Sequence, residues 1–293
     1  METIKYYLNE KTKLLKKNFV SLPRLEARLL LSKILNKSLN WTYLNLEKKI
    51  TKKQFENYEK IIKKKIKRFP TAYLLENKEF YSLNFKVNKN TLIPRPETET
   101  IVDEIKKNLN KKKFFSFLDL GTGTGCILLS ILKEFKKSVG IGTDIHLKTL
   151  NVAKLNCKKN NLTSRTKFIN LDWNNKFFLR KIKKINKKFT GFKKFNVIVS
   201  NPPYLLKNEM KTLSPEVKFE PVQALYDNKD GLSFYKIIIP NLNFILSKNG
   251  YFYSEINPKN YKKIENICKK NNFFNFKFIN DLSKKKRFIL IRN

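Results

Sequence analysis

The sequence predicts an α/β fold in which a doubly wound, mostly parallel sheet follows a small all-helical domain. Apolar residues recur at helical spacing up to about residue 70, and short apolar strands alternate with helical stretches from residue 114 onward. A glycine-rich loop follows the first of these strands. Seven strands are predicted, at residues 114–120, 139–144, 166–171, 195–200, 251–256, 273–279 and 287–292.

The composition is typical of a globular protein. The 293 residues are 41% hydrophobic and include 24 phenylalanines, enough to bury a full core. Three cysteines without a Cys-x-x-Cys pair and a single histidine predict neither a disulfide framework nor a metal site. The N-terminus lacks the apolar segment of a signal peptide, and no apolar run approaches membrane-spanning length. We therefore expect a cytoplasmic monomer without membrane association.

The charge is strongly positive, with 63 lysines and arginines against 24 acidic residues and a formal net charge of +39. Such an excess suits an anionic partner, such as DNA, ribosomal RNA or a protein met on the ribosome. The alternative is a lysine-rich usage spread over the whole surface. Lysine runs at 63–65, 111–113 and 284–286 are scattered along the chain, which favours the alternative. A transient contact with the ribosome or RNA stays open.

Residues 1–75 are predicted to form the helical N-terminal domain. Leu25, Leu29 and Ile34 recur at helical spacing behind Pro23, a residue that suits a helix start. A second, mostly polar helical stretch follows. The domain either completes the core as a cap or docks a macromolecular substrate, and the sequence does not separate these roles.

Residues 76–96 are predicted to be a β-hairpin linker, because apolar and polar residues alternate on both sides of Asn88-Lys89-Asn90. The larger domain, residues 97–293, then begins. Arg95 and Glu97 lie in a proline-stiffened stretch at this border. They either cap the following helix or form a wall of the active site and bind substrate.

The loop Gly121-Thr122-Gly123-Thr124-Gly125 connects the first strand of the sheet to a helix. Glycines let a ligand approach the backbone closely, and the helix start offers free N–H groups. Asp119, just before the loop, would repel a diphosphate but favours a nucleoside that carries a positive sulfonium. Asp144 ends the next strand, where a carboxylate can accept both ribose hydroxyls. The alternative for Asp144 is an ordinary helix cap.

Asp172 and Trp173 end the third strand. They could hold an adenine, Asp172 accepting from its amino group and Trp173 packing on its face. A core tryptophan beside a turn aspartate is an equal alternative. His146 is predicted to be a surface or capping residue without a catalytic role.

The stretch Asn201-Pro202-Pro203-Tyr204 directly follows the strand at 195–200, and its prolines make it a stiff turn. The Asn201 oxygen can accept one N–H of a planar NH₂ group, and the Pro202 carbonyl can accept the other. Tyr204 offers a flat face for the same group. The turn therefore suits a neutral nitrogen nucleophile that meets a positively charged electrophile. An ordinary Pro-Pro loop is the alternative.

Together these motifs resemble those of class I S-adenosylmethionine-dependent methyltransferases that act on amide or exocyclic nitrogens. The resemblance is carried by residues 117–125, Asp144, Asp172-Trp173 and 201–204. Residues 92–99, Phe219-Glu220-Pro221 and Ala224-Leu225, with the helical N-terminal domain, narrow it to the peptide chain release factor glutamine methyltransferases, the PrmC/HemK family. One departure is Glu76, where that family usually has a glycine.

The resemblance implies a Rossmann-like fold and methylation of the glutamine amide in the Gly-Gly-Gln motif of class 1 release factors. It implies that S-adenosylmethionine is bound by the loop from Gly121 to Gly125, with Asp119, Asp144, Asp172, Trp173 and Asn201. It also implies that Asn201 to Tyr204 bind the substrate glutamine, with Asn201, Pro202 and Tyr204 in the catalytic role. The methyl would then transfer directly from sulfur to nitrogen, mainly through placement of the two groups.

Three other functions stay open from the motifs. A ribosomal-protein glutamine methyltransferase would share them, and an adenine methyltransferase of DNA or RNA needs the same turn. The latter enzymes flip the base and usually carry a recognition region, for which this sequence shows no groove-reading motif. The third is a nucleic-acid-binding module without catalysis, against which the intact glycine loop, Asp144 and Asn201 argue.

Overall fold

A computed structural model describes residues 1–281 and 283–293. The chain divides into two compact units. The first comprises Met1–Lys78 with the short segment Ser214–Phe219, and the second comprises Glu79–Leu213 with Glu220–Asn293. No helix among the described residues combines the length and apolar character needed to cross a membrane.

The first unit is helical, as predicted. Its helices are α1 (Ile4–Lys17), α2 (Pro23–Leu35), α3 (Leu39–Leu44), α4 (Lys52–Ile66) and α5 (Thr71–Leu75). Pro23 is the first residue of α2, where its missing N–H has no helical partner to lose. Thr51 and Gln54 form a reciprocal capping box at the start of α4. The core of the unit includes Leu30, Tyr58 and Ile62, all fully buried.

The segment Ser214–Phe219 belongs to this helical unit by its contacts. Glu216 Oε1 lies 3.5 Å from Arg68 Nη1 and 3.9 Å from Lys65 Nζ. The ring of Phe219 packs on Phe69 with 4.8 Å between the centroids. One acid and one aromatic ring therefore attach this stretch to the end of α4.

The hairpin is confirmed, but its predicted turn is wrong. The two strands are β1 (Asn77–Phe80) and β2 (Leu83–Lys86), so the turn lies at Tyr81-Ser82, both with positive φ (49° and 58°). Two residues with positive φ form the turn that matches the twist of a hairpin. Asn88-Lys89-Asn90 instead forms a local turn, in which Asn88 Oδ1 accepts from the N–H of Asn90. Asparagine favours such side-chain-bonded turns, which is why the sequence was ambiguous.

The second unit contains the predicted seven-stranded sheet, in the order β5-β4-β3-β6-β7-β9-β8. Only β9 runs antiparallel to its two neighbours, β7 and β8. The strands are β3 (Ser116–Leu120), β4 (Val139–Asp144), β5 (Thr166–Asn170), β6 (Phe195–Ser200), β7 (Leu246–Glu255), β8 (Phe276–Asn280) and β9 (Lys286–Arg292). The doubly wound α/β fold class is therefore confirmed.

Two faces of this sheet are covered by helices. They are α6 (Glu99–Asn108), α7 (Cys126–Glu134), α8 (Leu147–Lys159), α9 (Phe178–Thr190), α11 (Ser233–Ile245) and α12 (Tyr261–Lys270). The short helix α10 (Lys207–Lys211) buries none of its residues. One buried cluster packs α11 against β6 and β7, and a second packs α6 and α7 against the sheet. The chain winds outward from β3 to β5 and then returns to the other side of β3 with β6. In such sheets, ligands bind at the carboxyl ends of the strands beside this reversal.

Glu76 has the left-handed backbone conformation that favours glycine. Its φ is +55°, and its N–H donates to the carbonyls of Ala72 and Tyr73 at the end of α5. At position 76, where the resembled family usually has a glycine, this chain thus has a glutamate in a glycine-like conformation. A residue with a Cβ is strained in this region.

We expect Glu76→Gly to be more stable than Glu76→Ala by about 0.5–1 kcal/mol, since relief of left-handed strain exceeds the added freedom of the unfolded chain. Both variants remove the same charge, so the pair isolates the backbone effect. Urea unfolding of the two full-length variants measures the difference. Equal unfolding midpoints would contradict a strained Glu76.

Candidate active site

A pocket of about 840 Å³, including the part open to solvent, lies at the carboxyl ends of β3, β4 and β6. The predicted site residues that line it are Arg95, Gly121, Thr122, Gly123, Thr124, Asp144, Trp173, Asn201 and Pro203. His146 and Cys126 also line it, whereas Asp119, Gly125, Asp172 and Glu97 do not.

The glycine loop lines one side of this pocket. Gly121, Gly123 and Gly125 all have positive φ (71°, 56° and 81°), a backbone path that other residues rarely adopt. A Cβ on Gly121 would lie 3.4 Å from the ring of Trp173, so the glycine lets the indole approach the loop. Gly125 directly precedes α7, whose first N–H groups therefore point towards the loop.

Asp144 ends β4 and is 8% exposed. Its Oδ2 accepts from the N–H of Gly123 at 3.1 Å, and its Oδ1 accepts from the N–H of His146 at 3.0 Å. Burial raises the pKa of this carboxyl, and the two N–H bonds act in the opposite direction. Each oxygen keeps a further lone pair, so Asp144 can still accept hydroxyl groups of a ligand.

Asp119 is fully buried beneath the loop and holds it together. Its Oδ2 accepts from the hydroxyl of Thr122 at 2.6 Å. Burial raises the pKa of Asp119 to about 7, against the lowering effect of that hydrogen bond. The structure therefore places Asp119 under the pocket and not on its wall. Its role as a cofactor-binding residue stays a prediction.

The side chains of Trp173 and Asp172 contact different parts of the structure. The indole of Trp173 lines the pocket and packs edge-to-face on Phe234, with 5.3 Å between the ring centroids. Asp172 Oδ1 accepts from the backbone N–H and the side-chain amide of Asn174. Trp173 is thus available to a flat ligand in the pocket, whereas Asp172 shapes the next turn.

The turn after β6 joins the large pocket to a smaller one of about 300 Å³. Asn201 lines both pockets, and Pro202 and Tyr204 line the smaller one. The turn is fixed from behind by Gly231 (φ +75°), where a Cβ would lie 2.8 Å from the carbonyl oxygen of Tyr204. Asn201 therefore lies at the junction of the two pockets, where a ligand in one pocket would contact a ligand in the other.

Glu255 is a site residue that the sequence analysis missed. It ends β7 next to β6, is 3% exposed and lines the smaller pocket. Its Oε1 accepts from the hydroxyl of Tyr204 at 2.8 Å, and its Oε2 from the hydroxyl of Thr98 at 2.6 Å. Burial raises its pKa, and the bonds from Thr98 and Tyr204 oppose that rise. The sequence held half of the signal, an acid near the carboxyl end of a predicted strand, but the position of that strand beside β6 is seen only in the fold.

Glu220 connects two walls of the large pocket. This carboxylate is 4% exposed and accepts from the Ile93 N–H at 2.9 Å and from Arg95 Nη2 at 2.6 Å. It thereby holds the Pro94–Pro96 stretch against the loop that contains Pro221. Arg95 lines both pockets, whereas Glu97 is exposed outside them. Substrate binding by either residue stays a prediction.

Cys126 lies on the wall at the start of α7. Burial raises the pKa of its thiol to about 12. Among the described residues, no group of three or more His, Cys, Asp or Glu side chains is arranged to hold a metal ion. The groups that line the pocket include the backbone of the glycine loop, the Asp144 carboxylate, the Trp173 indole and the Asn201 side chain.

Two family models match the chain. The model described as the PrmC N-terminal domain matches residues 7–75, and the one described as the methyltransferase small domain matches residues 98–217. The two matched stretches include α2 to α5, all of α1 after its first three residues, and the strands from β3 to β6.

Known proteins are similar over nearly the whole chain. The bifunctional methyltransferase of Rickettsia typhi is 35% identical over 285 residues, which cover 91% of this chain and 52% of that protein. The chain thus spans about half the length of that relative. The release factor glutamine methyltransferase of Buchnera aphidicola subsp. Schizaphis graminum is 35% identical over 271 residues, which cover 92% of each protein.

A similar fold occurs among solved structures. The hMettl16 catalytic domain, solved in complex with the MAT2A 3′UTR hairpin 6, matches with a TM-score of 0.58 at 15% identity. The match covers 78% of this chain and 80% of that one. This similarity concerns the fold alone.

We expect Asp119 to make stability depend on pH. Because its folded pKa of about 7 lies above its ordinary value, the folded state holds a proton that the unfolded state releases. The contribution of Asp119 to the free energy of unfolding is fully present below about pH 4 and is lost as the pH rises to about 7. At about 1.4 kcal/mol per pKa unit, the loss is on the order of 4 kcal/mol. The test is the unfolding free energy of the wild type minus that of Asp119→Asn between pH 4 and 8. Parallel curves would contradict the raised pKa.

Proposed function

The chain belongs to the family of release factor glutamine methyltransferases, and on that premise we propose that it methylates the glutamine amide of the Gly-Gly-Gln motif in class 1 peptide chain release factors, with S-adenosylmethionine as methyl donor. The observation that carries this proposal is the position of Asn201. It lines both the pocket of the glycine loop and the smaller pocket beside Tyr204.

The large pocket suits S-adenosylmethionine, which supplies an electrophilic methyl on a positively charged sulfur. The backbone of Gly121 and Gly123 allows close approach, and Trp173 offers a flat surface. Asp144 would accept from the ribose hydroxyls, as its partly used carboxylate allows. The carboxylate of Asp144 on the pocket wall would favour a cationic nucleoside over a diphosphate.

The Asn201 turn would hold the substrate amide. The oxygen of Asn201 accepts one N–H of the glutamine NH₂, and the Pro202 carbonyl accepts the other. Both hydrogens are then fixed, and the nitrogen faces the large pocket. After transfer, the nitrogen sheds a proton to one of these oxygens or to water. Placement of this kind supplies roughly 7–11 kcal/mol in favourable systems, so no strong base is needed.

The partners follow from this substrate. Release factors act in translation, so we place the reaction in the cytoplasm, with the chain acting as a monomer on each release factor. The net charge of +39 would steer the chain towards acidic partners and towards ribosomal RNA. We expect this effect to change association rates more than the chemistry at Asn201.

We expect Asn201→Ala to lower kcat for release-factor methylation at least about 100-fold, because the amide loses its alignment. The dissociation constant of S-adenosylmethionine, measured by calorimetry, should stay largely unchanged. Asn241→Ala is a matched control, since this half-buried asparagine lies on α11 and its side-chain amide donates to the Ile237 carbonyl of the same helix. Equal loss of cofactor binding and turnover would contradict the assigned role of Asn201.

The substrate is tested with labelled S-adenosylmethionine. The purified chain is incubated in turn with a class 1 release factor, its Gly-Gly-Ala variant, ribosomes and DNA. We expect label only in the intact release factor. Label in ribosomal protein or in DNA would overturn the proposed substrate and point to the corresponding alternative.

A further inference from the structure

A chain of hydrogen bonds leads from the buried Glu255 through the buried Thr98 to the half-buried amide of Asn201. The Thr98 hydroxyl donates to Glu255 Oε2 at 2.6 Å, and Asn201 Nδ2 donates to Thr98 Oγ1 at 3.4 Å. Thr98 and Glu255 are 2% and 3% exposed, so water does not substitute for these partners. The mechanism above uses Asn201 but assigns no role to the two residues behind it.

This chain of hydrogen bonds has one direction. Tyr204 donates to Oε1 of Glu255, so both oxygens of the carboxylate act as acceptors. The single proton of the Thr98 hydroxyl is used on Glu255, which leaves Thr98 with only lone pairs for its other neighbour. The Asn201 side chain must therefore turn its NH₂ towards Thr98. Its oxygen then faces away from Thr98, free to accept.

We propose that Thr98 and Glu255 are positioning residues that fix the amide orientation of Asn201 and thereby select a substrate NH₂ over a substrate oxygen. This inference rests on the proposed function. With the oxygen of Asn201 presented, a glutamine amide finds an acceptor for its N–H. A glutamate carboxylate, which only accepts, meets another acceptor at the same place.

The arrangement also explains why a threonine and a glutamate occupy these positions. A serine at position 98 would keep the hydroxyl, whereas a valine would keep the shape and lose it. A glutamine at position 255 could donate its own NH₂ to Thr98, which would free the Thr98 proton for the Asn201 oxygen and reverse the direction. The chain thus offers variants that keep volume and change only hydrogen-bond polarity.

The test compares a class 1 release factor with its variant in which the motif glutamine is glutamate, used as a competitive inhibitor. For the wild type we expect the Ki of the glutamate variant to lie far above the KM of the natural factor. Thr98→Val should lower kcat roughly 10- to 100-fold and reduce the Ki/KM ratio about tenfold, because the Asn201 amide can then rotate. Thr98→Ser should recover most of both losses.

Two further variants provide a second probe of this hydrogen-bond chain and a control. Glu255→Gln should reduce the Ki/KM ratio as Thr98→Val does, even if the valine variant does not fold. Thr166→Val, at the start of β5, removes a buried hydroxyl that donates to the Leu162 carbonyl and should leave the ratio unchanged. Calorimetry with S-adenosylmethionine checks that the large pocket remains intact.

The outcomes separate the two proposals. If the wild type methylates the release factor but Thr98→Val and Glu255→Gln keep its Ki/KM ratio, the positioning role is overturned and the proposed function stands. If the valine and serine variants lose kcat equally, the hydroxyl has no directional role. If the wild type methylates no release factor, the proposed function itself fails.

Discussion

The site depends on the alignment of parallel strand ends at one edge of the sheet. The hydroxyl of Ser200 donates to the carbonyl of Leu120 at 2.7 Å, which joins the last residue of β6 to the last residue of β3. The glycine loop leaves from β3 and the Asn201 turn leaves from β6, so this bond sets their separation. Ser254, next to Ser200 in the register, places Glu255 beside the same turn. Two chemical groups that are eighty residues apart in sequence therefore meet through backbone geometry.

The strands and the site-bearing loops were predictable because local rules determine them. Strand β6 is a short apolar run ended by two prolines, and the glycine loop lies between a strand and a helix. The turn of the hairpin was not predictable, since Tyr81 and Ser82 carry no signal for positive φ. Glu255 was missed because its role depends on the neighbours of β7, and sheet order is a property of the whole fold. Glu76 has the positive φ that is typical of glycine, and a glutamate in the sequence does not predict it.

Four buried acidic residues lie around the two pockets. Asp119, Asp144, Glu220 and Glu255 are all less than 9% exposed and surround the two pockets. With only 24 acids in the chain, their burial leaves the exterior even more dominated by lysine. The basic exterior favours association with acidic macromolecules.

In the proposed reaction, the raised pKa of the Cys126 thiol would protect the protein from alkylation by its own methyl donor. A thiolate is among the strongest nucleophiles in a protein, and one on the wall of this pocket would compete with the substrate nitrogen for an activated methyl group. Desolvation holds the pKa of this thiol well above its usual value, so the thiol form dominates at neutral pH. Alkylation of Cys126 would thereby be suppressed. A cysteine can then occupy the pocket wall without inactivating the protein.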